Sequence, residues 1–140
     1  MTRRNTRTGG VLEQMMLPAL NQGGYSYNTQ VVIGKRPGGG KHKIDLLAQK
    51  NGDSFLISMK WQQSSGTAEQ KVPFEIISLT EILLNHPEKY KCAYLVLGGN
   101  GWTLRDFYIG GGLKKYLRNE DLVQVISLES FVALANKGAI

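Results

Sequence analysis

Residues 43–63 read KIDLLAQKNGDSFLISMKWQQ, two largely apolar runs separated by the dipeptide Asn51-Gly52. Asn-Gly favours a two-residue type I′ turn, so the segment predicts a β-hairpin. A two-residue turn also fixes the register, because Lys50 must lie opposite Asp53 and each outward pair keeps the same sum of residue numbers. On this register Asp45 lies opposite Ser58.

The register predicts which side chains share a face of the hairpin. Directly opposed residues lie on one side, and so do residues two apart along a strand. One face is therefore expected to hold Asp45, Ser58, Lys60 and Gln62, together with Leu47 and Leu56 near the turn. The other face is expected to be core and to hold most of Ile44, Leu46, Phe55, Ile57, Met59 and Trp61. The Asp-Lys pair has two interpretations here: an ion pair on a solvated face, or part of a reactive site.

Further strands and helices are predicted on both sides of the hairpin. Hydrophobic periodicity predicts helices over 11–21, 67–84 and 128–136, strands over 25–34, 42–50, 53–62, 91–97 and 123–127, and loop with a short helix over 98–122. Thr67 and Gln70 are spaced as a capping box, and Pro73 predicts a bend in the second helix. The order predicts an α/β domain with helices covering a central sheet.

The chain length of 140 residues fits a single domain over 11–140, preceded by a flexible basic arm over 1–10. The net charge of +6 lies entirely in residues 1–43, since residues 44–140 hold equal numbers of cations and acids. Such an imbalance favours a polyanionic partner, either nucleic acid or an anionic membrane. The sequence has no apolar run long enough to span a membrane. Cys92 is the single cysteine, which favours a reducing, cytoplasmic compartment.

Cations cluster before the strand that carries Asp45. The loop over 34–41 lacks the spacing of a phosphate-binding loop, so we reject a nucleotide site there. Its side chains still lead directly into the hairpin and are expected to contact a DNA backbone. The predicted DNA-binding residues are Arg3, Arg4 and Arg7 of the arm and Lys35, Arg36, Lys41, His42 and Lys43 of the loop and strand. The alternative is a flexible, solvated hairpin.

The order α-β-β-β-α-β resembles the PD-(D/E)XK nuclease superfamily. The motif likeness rests on Glu13, on Lys43-Ile44-Asp45, and on Ser58-Met59-Lys60 continuing into Trp61-Gln62-Gln63. This resemblance implies a restriction-endonuclease-like core, αβββαβ, with a central mixed sheet flanked by helices. It also implies hydrolysis of DNA phosphodiester bonds with Mg²⁺, for which Mn²⁺ can substitute.

Several kinds of protein fit the resemblance. The first is an endonuclease of phage, homing or restriction type. The alternatives are a Holliday-junction or branched-DNA resolvase, and an inactive member that only binds DNA. Outside the resemblance, the alternative is a basic RNA- or ribosome-associated protein with no site, in which Asp45 and Lys60 are only a surface ion pair. Because a small chain has one active site and duplex cleavage needs two cuts, the resemblance implies a homodimer or higher oligomer, with DNA and not a membrane as its partner.

The resemblance also implies roles for individual residues. Asp45 would be the central metal ligand and the carbonyl of Met59 a further one, while Lys60 would be the catalytic lysine. Gln62 would orient phosphate or water. Glu13 would match an additional acid carried by some members on the first helix and would act as a catalytic residue and metal ligand.

Ser58 departs from the family pattern, which has an acid at this position. Some restriction enzymes of the superfamily carry Ser-x-Lys and take the acid from the following helix. Glu69 and Glu75 are the two candidates here. Glu69 is favoured as catalytic residue and metal ligand because it lies in the first helical turn, close to the strand end. The spacing of Glu75 from Lys60 is nonetheless closer to that of the known migrated acids.

Overall fold

The fold is taken from a computed structural model, which describes residues 10–140; Arg3, Arg4 and Arg7 lie outside them. A π-helical turn, Leu12–Met16, leads into helix α1, Leu17–Gln22. The other helices are α2 (Ala68–Asn85), α3 (Arg105–Ile109) and α4 (Leu128–Asn136), with short 3₁₀ turns at Gly112–Lys115 and Glu120–Leu122. The strands are β1 (Ser26–Lys35), β2 (Lys41–Lys50), β3 (Asp53–Trp61), β4 (Cys92–Gly98) and β5 (Val123–Ser127).

The five strands form a single mixed sheet in chain order, β1-β2-β3-β4-β5. The first three strands are antiparallel neighbours, and β3, β4 and β5 run parallel to one another. The register predicted from Asn51-Gly52 is confirmed from Lys50 opposite Asp53 outward to Leu46 opposite Ile57. Both turn residues have the positive φ that a type I′ turn requires.

Helices cover both faces of the sheet and enclose two hydrophobic cores. The first core packs the N-terminal helical segment and α4 against the sheet, and it includes Leu46 and Ile57. The second core lies under α2 and includes Ile44 and Leu56. Because β3 is covered on both faces, apolar residues occupy both of its sides. The face predicted to be polar is therefore a second core, which accounts for Leu47 and Leu56 there.

The alternation of β2 breaks at Asp45. Ile44 was expected to share a face with Leu46, and this was wrong because the two residues belong to opposite cores. Residues two apart share a face only in a regular strand. The pairing of β2 with β3 also ends at Leu46, next to Asp45. Asp45 thus stands where β2 separates from β3.

Helix α2 begins without the predicted capping box, since the Thr67 side chain makes no cap hydrogen bond. Pro73 lies inside the helix and has no N–H to donate to the carbonyl of Glu69, four residues earlier. The Tyr108 hydroxyl donates to that carbonyl instead, at 2.8 Å. The helix therefore continues through Pro73 with its freed carbonyl satisfied. Among residues 10–140, no helix is both long and apolar enough to cross a membrane.

Candidate active site

Asp45 lies at the fork between β2 and β3 and is half-buried. The backbone N–H of Met59 donates to its Oδ2 at 2.7 Å, in place of the strand pairing that has just ended. Burial raises the pKa of Asp45; the Met59 hydrogen bond and the Lys60 charge oppose this, and the Glu75 charge adds to it. The effect of burial is the largest, so the pKa of the Asp45 carboxyl lies above its ordinary value.

Glu75 projects from α2 toward the same fork and is almost completely buried. Its Oε2 accepts hydrogen bonds from Ser58 Oγ at 2.8 Å and from His42 Nε2 at 3.0 Å, while its Oε1 accepts one from Arg36 Nη1. Burial opposes ionisation, but the hydrogen bonds from His42 and Arg36 prevail and lower the pKa of Glu75 to about 2. Glu75 is therefore a carboxylate at neutral pH.

Lys60 completes a group that we call the carboxylate cluster: Asp45, Ser58, Lys60 and Glu75. Ser58 and Lys60 are two apart on β3, so both point toward α2. The positive charge of Lys60 favours the ionised form of both carboxylates, whereas burial disfavours it and raises the pKa of each. The predicted pairing of Asp45 with Ser58 was wrong, because the β2–β3 ladder ends at Leu46 and the Asp45 carboxylate accepts from the Met59 N–H instead. Glu75 was the less favoured of two candidate acids.

Glu69 is engaged elsewhere. Its carboxylate accepts hydrogen bonds from the backbone N–H groups of Thr103 and Leu104, the residues that lead into α3. Its backbone carbonyl accepts from Tyr108. These contacts tie α2 to the segment after β4 and direct the Glu69 carboxylate away from Ser58, whose hydroxyl donates to Glu75. The arrangement favours Glu75 as the acid that accompanies Ser58.

Two further predicted residues, Glu13 and Gln62, make no hydrogen bond to the carboxylate cluster among residues 10–140. Glu13 is exposed on the π-helical turn, and none of residues 10–140 donates a hydrogen bond to its carboxylate. Gln62 is buried, and its Nε2 donates to the carbonyl of Gly101 at 2.7 Å. Its Oε1 is buried without a partner among the described residues. Gln62 thus anchors the loop after β4 and keeps one acceptor for a water or ligand donor.

The cations before Asp45 divide into two sets. Lys35, Lys41 and Lys43 are exposed, as a DNA contact requires. His42 is fully buried against Glu75, and Arg36 turns inward to the same carboxylate. A phosphate outside the protein does not reach a ring that is fully buried, so a DNA contact in this region rests on the lysines and, if it turns outward, on Arg36.

The Ser58 hydroxyl contributes a hydrogen bond to a buried, charged acceptor. We expect Ser58→Ala to lower the free energy of unfolding by about 2 kcal/mol, because bonds to charged groups are stronger than neutral ones. Urea denaturation measures this change. Ser54→Ala on the same strand, where the hydroxyl accepts only a long 3.4 Å bond from Gln49, is the control and should shift stability little. Equal effects of the two variants would contradict the role assigned to Ser58.

The donor set of the cluster fits a hard divalent cation. Mg²⁺ takes oxygen ligands and is usually held by one or two carboxylates while it keeps several waters. Asp45 and Glu75 supply two carboxylates, and the Met59 peptide lies beside Asp45. Within residues 10–140, no three side chains of His, Cys, Asp or Glu converge as a metal site. Two carboxylates, those of Asp45 and Glu75, are therefore the anionic ligands that the described residues of the cluster offer such an ion.

Comparison with known proteins gives a match to one family model and a similarity to a solved structure. A model of a PD-(D/E)XK nuclease superfamily domain matches residues 4–139. Among solved structures, the chain is similar to AF1548, a protein of unknown function, with 12% sequence identity and a TM-score of 0.45. That match covers 80% of this chain and 54% of AF1548, so the chain spans about half of its length. No curated protein matches the sequence.

Proposed function

The chain belongs to the PD-(D/E)XK nuclease superfamily, and on that premise we propose that it is an Mg²⁺-dependent DNA endonuclease in which Mn²⁺ can substitute. The family and the α/β restriction-endonuclease-like fold predicted from the sequence are confirmed. Nucleases of this superfamily generally use divalent metals. The observation that carries the proposal is the contact of Glu75 with Ser58, which supplies a carboxylate beside the position where the family's second acid is missing.

The proposed roles follow from the contacts of each side chain. Asp45 and Glu75 would hold the ion, with the Met59 carbonyl as a further oxygen ligand. When bound, a divalent metal lowers the pKa of a coordinated water and offsets charge on the phosphate. The Lys60 ammonium, whose charge acts on both carboxylates, would stabilise the negative charge that develops during hydrolysis and orient the attacking water.

Other residues would position the acid or the substrate. Ser58 and His42 hold the Glu75 carboxylate in a single orientation through their hydrogen bonds. Lys35, Lys41 and Lys43 are exposed before Asp45 and would bind phosphates on either side of the scissile bond. We propose that two such chains act together as a homodimer on duplex DNA, because residues 10–140 of each chain hold one carboxylate cluster.

A second candidate function is DNA binding without cleavage. The ion pair between Arg36 and Glu75 favours it, because a guanidinium already neutralises the acid that a metal would need. Both candidates predict salt-sensitive DNA binding, since both depend on lysine contacts with phosphates. Only the endonuclease predicts hydrolysis that stops when EDTA removes the metal.

Cleavage assays on defined substrates test the proposal. Purified protein is incubated with supercoiled plasmid, linear duplex, single-stranded DNA and four-way junctions, with Mg²⁺, Mn²⁺ or EDTA. We expect metal-dependent cutting of at least one DNA, and a loss of about 10²–10³-fold in Lys60→Ala, the effect typical of removing one charge-stabilising donor. Preference for the junction would assign the protein to the resolvases.

The matched control is Lys91→Ala. Lys91 is an exposed lysine whose N–H pairs with Ser54, at the opposite end of β3 from Lys60, and its removal should leave cleavage unchanged. Salt-sensitive binding with no metal-dependent cutting of any substrate would support the inactive DNA-binding protein instead.

A further inference from the structure

The Arg36 side chain points in a different direction from the other cations of the connection between β1 and β2. Lys35 and Lys41, which flank the connection, are exposed, whereas the Arg36 side chain is 26% exposed and reaches Glu75. Arg36 opens a tight, glycine-rich turn in which its N–H donates to the carbonyl of Gly40 at 2.7 Å. Gly38 and Gly39 adopt positive φ angles that suit glycine. The guanidinium thus extends from a surface turn into the carboxylate cluster.

Both oxygens of Glu75 are occupied in this arrangement. Oε2 accepts from Ser58 and His42, and Oε1 accepts from Arg36. A cation that binds Glu75 must therefore share or displace one of these donors. Ser58 and His42 are buried within strands, whereas Arg36 is the partner that is accessible to solvent and carried by a turn. Arg36 is consequently the donor that can leave without disturbing the sheet.

The charges of the site also favour an exchange in which Arg36 leaves Glu75 for another anionic partner. Asp45 and Glu75 carry two negative charges, and Lys60 and Arg36 carry two positive charges, so these four side chains are balanced before any ion binds. A guanidinium pairs with phosphate through two parallel hydrogen bonds and is well suited to both partners. If Arg36 moves to a phosphate, the cluster is left with one uncompensated negative charge, which a divalent cation would offset.

We propose that Arg36 is a latch that exchanges between Glu75 and a phosphate of bound DNA. In the free protein it holds Glu75 in an ion pair and weakens metal binding. When the DNA backbone lies along Lys35 and Lys41, Arg36 turns to a phosphate and releases Glu75 to the cation. The metal site is therefore completed by the substrate. This inference rests on the proposed function, because it takes Glu75 as the metal-binding acid.

The latch requires a reciprocal coupling between two ligands. If DNA raises the affinity for metal by some factor, metal must raise the affinity for DNA by the same factor. We expect a factor of about tenfold, within the range usual for coupled sites. Arg36→Ala should bind metal about tenfold more tightly than the parent without DNA, and DNA should then add little.

The test measures Mn²⁺ binding by electron paramagnetic resonance, with and without a short DNA duplex. All proteins carry Lys60→Ala so that cutting of the duplex is strongly slowed, and the comparison is made with and without Arg36→Ala. Lys91→Ala is the matched control, because it removes one exposed positive charge without touching Glu75 or the lysines proposed to contact DNA. Arg36→Gln is used in place of Arg36→Ala if that variant does not fold, and thermal unfolding shows whether each variant is folded.

The outcomes separate the latch from the proposed function. Tighter Mn²⁺ binding in Arg36→Ala than in Lys91→Ala, with loss of the coupling to DNA, supports the latch. Equal Mn²⁺ affinities in those two variants, or coupling that persists without Arg36, overturns the latch while the endonuclease proposal stands. Absence of Mn²⁺ binding in every protein, with or without DNA, overturns both.

Discussion

Replacing Asp45 by asparagine is expected to lower metal-dependent DNA cleavage by about 10³-fold, the equivalent of several kcal/mol of lost transition-state stabilisation. Asparagine keeps the shape of the side chain and an oxygen that can accept the Met59 N–H. It removes the negative charge, and with it the hard anionic ligand that a divalent cation prefers. Single-turnover cleavage of the preferred DNA measures the effect.

The same variant should not lose stability. Burial raises the pKa of Asp45, which means that the folded protein holds this carboxylate at a cost in free energy. A neutral amide removes that cost, so Asp45→Asn should unfold at a urea concentration equal to or above that of the parent. Such a combination of lost activity and retained stability is typical of a functional site that is strained by its own charge.

Asp53→Asn provides the control for Asp45→Asn. Asp53 lies at the other end of the hairpin, is half-exposed and pairs weakly with Lys91, so its removal should affect neither rate nor stability appreciably. Cleavage that survives Asp45→Asn at close to the parent rate would contradict the role of Asp45 as a metal ligand.

Local signals in the sequence were sufficient for most of the fold. Asn51-Gly52 fixed the β2–β3 register, since a two-residue turn allows one pairing. The last strand and helix were predicted with the bounds that the structure has, because a short β-branched run is followed by an amphipathic one. These features depend on neighbouring residues, and so a single sequence reveals them.

Features that depend on tertiary contacts were missed. The break in alternation at Asp45 separates Ile44 from Leu46 and arises where β2 leaves β3. The burial of His42 follows from the same break and from the acid on α2 that its ring meets. Residues 42 and 75 are distant in the chain, so no local pattern reports their contact.

The choice between Glu69 and Glu75 depends on direction around the helix as well as distance along it. The two residues are six apart, which places them about 120° apart around α2. They flank the buried stripe of Val72, Ile76 and Leu79 on opposite sides. Glu75 therefore points to β2 and β3, while Glu69 points to the segment after β4. Distance along the axis alone favoured Glu69, and the sequence does not show which flank faces Asp45.

The second large effect is expected from separate substitutions of these two acids. We expect Glu75→Gln to lower cleavage by about 10³-fold, as for Asp45→Asn, because it removes the second anionic ligand. DNA binding should be retained, since the exposed lysines are unchanged. Unlike Asp45→Asn, this variant should also lose about 3 kcal/mol of stability, because Arg36 and His42 lose their charged partner in a buried site.

Glu69→Gln is the matched comparison, made on the same helix with the same change of charge. Its amide oxygen can still accept from the N–H groups of Thr103 and Leu104, so we expect cleavage close to the parent rate and a small loss of stability. Cleavage rates are compared at a temperature where circular dichroism shows all three proteins folded. If Glu69→Gln abolishes cleavage and Glu75→Gln does not, Glu69 is the second acid, and the segment at Thr103 and Leu104 must release its carboxylate before a metal can bind.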